Sequence, residues 1–178
     1  MNRSFTAAST LLACVVSLSS QQSISKNAPS AQVPDALKPP AGVVLKQKLS
    51  AKGVQIYQCQ GSDWKLLGPQ AQLFDAKGHQ VASHYAGPTW KSADGSCVVG
   101  EVKAHDDGPD PSAIPWLLVS AKSTSGSGAF SHVQNIQRLH TVGGKPPTDA
   151  CDAAIANKVV RVPYQAIYYF YVPKSAHR

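Results

Sequence analysis

The chain has 178 residues, of which 43% are hydrophobic and 15% are charged, and it carries 17 Lys and Arg against 10 Asp and Glu. This length suits one domain with a normal hydrophobic core rather than a disulfide-stapled miniature. The cations are scattered, with no run of Lys or Arg that could follow a phosphate backbone, which argues against nucleic-acid binding. The surplus predicts a basic surface that can adhere to anionic polymers of a cell envelope.

The N-terminus has the pattern of an export signal. Arg3 precedes an apolar and small-residue run, Phe5–Leu18, which is too short to span a bilayer comfortably. We therefore expect residues 1–20 to be a signal peptide and the mature protein to be secreted or periplasmic. The alternative is a lipoprotein anchored through Cys14, although the run stays apolar beyond that residue. No other stretch approaches the ~18 apolar residues of a membrane-spanning helix, so no transmembrane span is expected.

The next segment, residues 21–32, is rich in Ser, Gln and Ala and is predicted to be a disordered linker. Beyond it, residues 33–173 are expected to form one β-rich domain. Val43–Leu49 and Val54–Cys59 have the residue types of strands, and Ser50–Gly53 between them predicts a glycine-closed hairpin turn.

A second hairpin is predicted further along the chain, where Ala71–Phe74 and Gln80–Tyr85 flank Asp75–Gly78. An acidic residue in first place and a glycine in fourth place are typical of a type I turn. Ser92–Gly95 marks a third reversal of the chain.

The later part of the chain continues this pattern. Cys97–Ala104, Ile114–Lys122 and Ile167–Val172 are predicted strands, and the continuously apolar Trp116–Val119 is expected to be buried on both faces. Only Asp149–Asn157 predicts a short helix. Together these patterns favour a mainly antiparallel all-β fold, a single-domain β-sandwich or barrel with one short helix.

Three cysteines remain after export, namely Cys59, Cys97 and Cys151. An odd count in an oxidising compartment implies one bridge and one leftover thiol, and the spacing alone does not decide which two pair. No Cys-x-x-Cys motif is present, so neither a zinc ribbon nor a thioredoxin-like site is predicted.

Metal and cofactor sites find little support. His84, His105 and an aspartate of the following loop could converge, and imidazole with carboxylate suits zinc or copper. No pair of histidines has ligand spacing, however, so no metal site is predicted. A dinucleotide fingerprint fails as well, because Gly126 and Gly128 are followed by Ser131 where the third glycine belongs. No cofactor is expected.

An enzymatic interpretation rests on few residues. Ser96 and Ser131 are conceivable nucleophiles, but neither lies in a Gly-x-Ser-x-Gly elbow. Acidic residues such as Asp94 could form a paired-carboxylate glycosidase site, yet their spacing is that of an ordinary solvated loop. The enzyme alternative is therefore a hydrolase or metal-dependent enzyme that uses His84 and Asp94.

Two large aromatic rings flank a Gly-Pro turn. Tyr85 precedes the turn and Trp90 follows it, so their rings could stack on a sugar or another planar ligand. The structural alternative, which the pattern favours, is that Trp90 and Trp116 fill the interior. His84 should face away from Val81 and Tyr85, because side chains alternate along a strand.

Longer motifs cover nearly all of the expected domain: Val54–Cys59, His84–Trp90 with Asp94–Ser96, Ile114–Leu118, Ile136–Leu139, Thr141–Gly144 with Pro147, Val162–Tyr164 and Tyr168–Tyr171. Together they resemble the domain of unknown function 3455 family of secreted bacterial and fungal proteins. The resemblance implies an extracytoplasmic β-rich domain, with no established activity. It also implies a disulfide between Cys59 and Cys151, with Cys97 as an extra cysteine. The chain departs from the family at Lys91, where an acidic residue often follows the tryptophan.

The leading hypothesis is a non-enzymatic ligand-binding or structural module of the cell envelope or extracellular space. Its recognition surface is predicted at six residues: His84, Tyr85, Trp90, Asp94, Trp116 and Arg138. The expected partner is a carbohydrate or another envelope ligand. Arg138, which lies between apolar neighbours, could equally be a structural fork that ties loops together.

Overall fold

The computed structural model describes residues 32–176. The predicted signal peptide, the alternative lipid anchor at Cys14 and all but the last residue of the predicted linker lie outside the described residues. Within them the chain forms eight strands: β1 Val43–Gln60, β2 Asp63–Phe74, β3 Gln80–Tyr85, β4 Thr89–Ser92, β5 Cys97–Asp106, β6 Trp116–Ser125, β7 Asn135–Gly143 and β8 Val159–Pro173.

Each strand pairs antiparallel with the next one along the chain, and β8 pairs with β1, so the sheet closes into a barrel. The predicted all-β, antiparallel fold is confirmed, and of the two predicted architectures the barrel is the one that forms. Alternation of inward and outward side chains places Leu49, Ala51, Ala166 and Phe170 in one buried core inside the barrel. An eight-stranded barrel of this kind is just wide enough for side chains to fill it or for one small ligand.

The hairpin turn predicted at Ser50–Gly53 is wrong, because β1 runs through this segment without interruption. Ala51 is buried, and Gly53 pairs with Ala71 of β2 on one side and with Tyr164 of β8 on the other. A Cβ atom on Gly53 would overlap the carbonyl oxygen of Gln70. The glycine is therefore needed for close approach of two strands rather than for a reversal.

The two other predicted reversals are confirmed. At Asp75–Gly78 the Asp75 carboxylate accepts hydrogen bonds from the backbone N–H groups of Lys77 and His79, at 2.8 and 2.9 Å. At Ser92–Gly95 the Gly95 N–H donates to the carbonyl oxygen of Ser92 at 3.1 Å. Gly78 and Gly95 have φ angles of 84° and 90°. A residue with a side chain would be strained in this backbone conformation.

The helix predicted over Asp149–Asn157 is reduced to a three-residue 3₁₀ turn, Ala153–Ile155. Its cap is Asp152, whose carboxylate accepts a hydrogen bond from the Ala154 N–H at 2.9 Å. The turn is short because the backbone leaves helical geometry on both sides, with ψ angles of −179° at Asp152 and 135° at Ala156.

The disulfide between Cys59 and Cys151 is confirmed, and it joins residues 92 positions apart. Cys97 is a free cysteine and is half-buried. A disulfide of this kind indicates an oxidising, non-cytoplasmic compartment. Among residues 32–176, no helix is long and apolar enough to cross a membrane.

The two ends of the barrel differ in how they are filled. At one end, the loop between β6 and β7 inserts Phe130, which stacks on Phe170 with ring centroids 4.6 Å apart. The backbone N–H groups of Ala129 and Phe130 donate to Asp94 and Ser96 of the β4–β5 turn, which holds this loop in place. We call this the closed end. The opposite end, which carries the β3–β4 and β5–β6 loops, is called the open end.

Candidate functional site

A cavity of about 270 Å³ opens at the open end, and all eight strands contribute to its lining. Its wall is mainly apolar, and the apolar lining includes Leu66, Leu67, Pro69, Val102, Leu117 and Val119. The mouths of β-barrels are common positions for small-molecule sites, and this volume lies near the lower end of their usual range of roughly 300–1,000 Å³. The dimensions therefore suit a small ligand.

Three stacked or edge-on aromatic rings form the side of the cavity that faces the core. The His84 imidazole lies parallel to the Trp90 indole, with centroids 4.2 Å apart. The Tyr168 ring lies edge-on to both, with its centroid 5.3 Å from that of His84 and 5.6 Å from that of Trp90. Gly100 makes room for this arrangement, because a Cβ atom there would lie 2.9 Å from the Trp90 ring. These three rings form the floor of the cavity, which we call the aromatic floor.

His84 is a neutral imidazole within this cluster. Its Nδ1 lies 2.8 Å from the carbonyl oxygen of Thr89, so Nδ1 carries the proton and donates, and Nε2 is left as an acceptor. Burial lowers the pKa of His84 to about 3, and the charge of Arg138 contributes in the same direction, while the bond to Thr89 opposes it. The ring therefore adds no positive charge to the cavity at neutral pH.

Arg138 supplies the charge of the cavity. It points inward from β7, beside Tyr168 of β8 and Leu117 of β6. Its Nε and Nη2 atoms donate to the carbonyl oxygen of Pro115, at 3.1 and 2.8 Å. Among the described residues no carboxylate forms an ion pair with it. The guanidinium is thus held in position by a neutral group that does not compensate its charge.

Two further hydrogen-bond donors in the cavity lining lack a partner within the described part of the chain. They are Nε2 of Gln55 and Nε1 of Trp90, and both side chains belong to residues that are only 2% exposed. A buried donor without a partner costs roughly 1–3 kcal/mol, so such groups are rare unless another molecule satisfies them. Both nitrogens are enclosed by the protein, so they lie behind the cavity surface, next to Arg138 in the lining.

Of the six predicted site residues, the structure brings His84, Trp90 and Arg138 together in this cavity. Tyr85 lies on the outer surface, is 40% exposed and is not part of the lining. Trp116 is buried in a separate cluster with Leu37 and Leu139 on the outside of the sheet. The preference for Trp90 and Trp116 as buried residues therefore agrees with the structure, but only Trp90 lies inside the barrel.

Asp94 has a structural task at the closed end. Its carboxylate accepts hydrogen bonds from the backbone N–H and the hydroxyl of Ser96, at 2.9 and 2.6 Å, and from the Ala129 N–H at 2.8 Å. These bonds lower the pKa of Asp94 to about 2, with the Ser96 hydroxyl as the largest cause. Asp94 does not line the cavity that contains His84, so an enzyme that uses both residues is not favoured.

The other enzymatic and metal hypotheses find no constellation in residues 32–176. The Ser96 hydroxyl is fully buried between Asp94 and the Phe130 N–H, and the Ser131 hydroxyl donates to the carbonyl oxygen of Gly128. No group of three His, Cys, Asp or Glu side chains is close enough to hold a metal ion. His84 and His105 therefore do not form the zinc or copper site that was considered.

Sequence reasoning missed Gln55 and most of the apolar wall. Val54 and Ile56 are the apolar residues of their segment, yet they are only half-buried, whereas Gln55 between them is buried. The signal that could have revealed this is the two-residue spacing along β1. Gln55, Tyr57 and Cys59 follow Ala51 at odd-numbered positions, so they continue the inward face of the strand. A polar amide on the inward face of a strand is the mark of an interior polar site.

A protein-family model described as "Protein of unknown function (DUF3455)" matches residues 39–172. The chain belongs to this family. The match covers all eight strands except the last residue of β8, so the DUF3455 domain includes every strand that lines the cavity. No curated protein and no solved structure matches the chain.

Proposed function

We propose that this DUF3455 protein is a non-enzymatic binding module that holds a small, largely apolar molecule in the cavity at the open end. The observation that carries the proposal is the unfilled space itself, which lies within a closed barrel whose other end is filled by Phe130 and Phe170. Interiors are normally packed as densely as organic crystals, so an open apolar space with unpartnered donors in its wall is unusual. A carbohydrate is the weaker candidate, because its hydroxyl groups need more polar partners than this wall offers.

The cellular setting follows from the same interpretation. We take residues 1–20 as a signal peptide, residues 21–32 as a disordered linker and residues 33–173 as the binding domain, so the ligand would be met in the periplasm or outside the cell. The disulfide between Cys59 and Cys151 is consistent with this location.

Binding can be tested by thermal shift with 1-octanol, octanoate and octylamine, which share one apolar chain and differ in their head groups. At a hundred-fold excess over Kd, a ligand adds about 2.7 kcal/mol to the free energy of unfolding, which corresponds to a rise in Tm of roughly 5 °C or more. We expect at least one member of the series to produce such a rise.

A cavity-filling variant, Leu117→Trp, should abolish the rise, because Leu117 lines the cavity. Leu45→Trp is the matched control, since Leu45 is exposed on the outer surface and away from the cavity. If Leu117→Trp does not fold, Val102→Trp at the exposed rim replaces it. No rise with any of the three compounds, or an equal rise in the cavity-filling and control variants, would refute the proposal.

A further inference from the structure

We propose that the ligand is a small monoanion, a carboxylate with an apolar body, whose carboxylate is bound by Arg138 and Gln55. This inference rests on the proposed binding function and specifies the ligand class. It concerns the polar edge of the cavity, whereas the binding function rests on the apolar space.

The first argument is the charge balance of the cavity. Arg138 is the only charged side chain in the lining, and no carboxylate of the described residues is paired with it. His84 is neutral, because burial lowers its pKa to about 3. A partly buried cation surrounded by apolar and aromatic groups is costly unless an anion compensates it. A ligand with one negative charge would compensate the one positive charge of Arg138.

The second argument is the number of free donors. A guanidinium has five N–H donors, of which one each on Nε and Nη2 of Arg138 is engaged by the Pro115 carbonyl oxygen, and the Tyr168 hydroxyl is a further partner of the side chain. Gln55 belongs to the lining of the same cavity, and its Nε2 is enclosed without a partner, so a rotation of this side chain would let it donate to a ligand. A carboxylate is an acceptor only, and it binds a guanidinium in a planar, two-bond arrangement that leaves lone pairs for a neutral amide donor. The donors of the cavity therefore match the acceptors of a carboxylate.

The alternative, that Arg138 is a structural residue that ties loops together, explains only part of these observations. The bonds to Pro115 fasten the β5–β6 loop to β7, as a fork would. They do not explain why the Gln55 amide lies buried without a partner. The same bonds instead fix the guanidinium before a ligand arrives, which reduces the entropy lost on binding.

The size and walls of the cavity set the rest of the ligand. Leu66, Val102 and Leu117 line the space, so the body of the molecule must be apolar. A volume of about 270 Å³ restricts it to a short chain or a single ring system. A doubly charged phosphate ester would exceed the one positive charge available.

Isothermal titration calorimetry with octanoate, 1-octanol and octylamine tests the inference on the full mature protein. We expect octanoate to bind roughly 10- to 100-fold more tightly than 1-octanol, because a hydrogen bond to a charged group is stronger than a neutral one. Octylamine should bind most weakly, since its cation meets Arg138. Comparable affinities for octanoate and 1-octanol would overturn this inference and leave the binding function standing. An absence of binding by all three would refute both.

Variants locate the anion. Arg138→Gln should remove the preference for octanoate over 1-octanol while 1-octanol still binds, and Gln55→Leu should lower the affinity for octanoate several-fold. Arg161→Gln is the matched control, because Arg161 is an exposed cation outside the cavity lining. A preference that survives Arg138→Gln, or that is lost in Arg161→Gln, would overturn the assignment. Should Arg138→Gln fail to fold, the head-group comparison on the wild-type protein still decides.

Discussion

The closed and open ends of the barrel are built from the same strands, but their interiors are filled differently. At the closed end Phe130 enters the interior and stacks on Phe170, and the loop that carries it is fastened by Asp94 and Ser96. At the open end Ile114 of the β5–β6 loop is also buried in the core, and Gly87 and Pro88 of the β3–β4 loop line the cavity, but a cavity remains above the aromatic floor. An eight-stranded barrel can be filled by its own side chains or can hold a small ligand, and this molecule divides the two uses between its ends.

The two ends are also held together by different means. The closed end depends on packed apolar side chains, whereas the open end has exposed apolar residues such as Leu66 and Leu67 along its rim. The disulfide of Cys59 and Cys151 lies beyond the open end, where β1 approaches its turn into β2. The following predictions test this difference, beginning with the largest expected effect.

Removal of the disulfide in the double variant Cys59→Ala with Cys151→Ala should destabilise the fold most. In the chain-entropy model a bridge across this span of 92 residues contributes about 4–5 kcal/mol to the free energy of unfolding. Urea denaturation followed by fluorescence measures the loss, and Cys97→Ala serves as the control because Cys97 is unpaired. A loss below about 1 kcal/mol would mean that packing alone fastens the open end.

A matched pair of apolar truncations compares the ends directly. Phe130→Ala should cost about 3–5 kcal/mol, because it leaves a hole in a close-packed core. Leu67→Ala should cost less than about 1 kcal/mol, because Leu67 is 46% exposed at the cavity rim. The urea midpoints of the two variants decide the matter. Equal losses would show that the open end is packed as firmly as the closed one.

The pH dependence of stability reports on His84 at the aromatic floor. Its folded pKa is about 3 and its ordinary value is 6.5, so below pH 6.5 the unfolded chain binds a proton that the folded chain does not. Stability therefore falls as the pH is lowered through 6.5. Well below pH 6.5, each unit of pH lowers the free energy of unfolding by about 1.4 kcal/mol. Between pH 7 and 5, where the slope is reached only gradually, the loss is about 2 kcal/mol.

This interval separates the histidine from the carboxylates, because the pKa values of Asp75, Asp94 and Asp110 are lowered further by their hydrogen bonds. His84→Gln should flatten the dependence measured by urea denaturation at pH 7 and 5. His132→Gln, at an exposed position, should leave it unchanged. The same slope in His84→Gln and wild type would place the titrating group elsewhere.

Much of the fold could be predicted from local patterns, because turn chemistry and two-residue alternation act over a few residues. The reversals at Asp75–Gly78 and Ser92–Gly95 are examples. The error at Ser50–Gly53 has a physical reason, since a glycine that permits close strand contact and one that permits a turn look alike in sequence. The helix predicted over Asp149–Asn157 is wrong beyond three residues, because alanines and a cap residue favour a helical turn but do not set where the backbone becomes extended again.

The lining of the cavity could be predicted only in part, because it depends on contacts between residues that are distant in sequence. His84, Trp90 and Arg138 were identified from composition and from the family motifs, but Tyr85 and Asp94 are their sequence neighbours rather than their spatial partners. Gln55 was missed because its two immediate neighbours are apolar and its own inward orientation is set by the register with β2 and β8. Closure of the barrel brings together residues from every strand, and no local pattern encodes it.

Closure also limits how another protein can recognise this one. Each of the eight strands has two neighbours, because β8 returns to β1, but two of the strand pairs are short. β3 pairs only with residues 70–74 of β2, and β4 pairs only with residues 97–99 of β5. Residues 63–69 of β2 and 101–106 of β5 are therefore paired on one side only, and these short edges at the open end are where a partner could add a strand. Where the strands are paired on both sides, a partner protein would have to be recognised through side chains and loops.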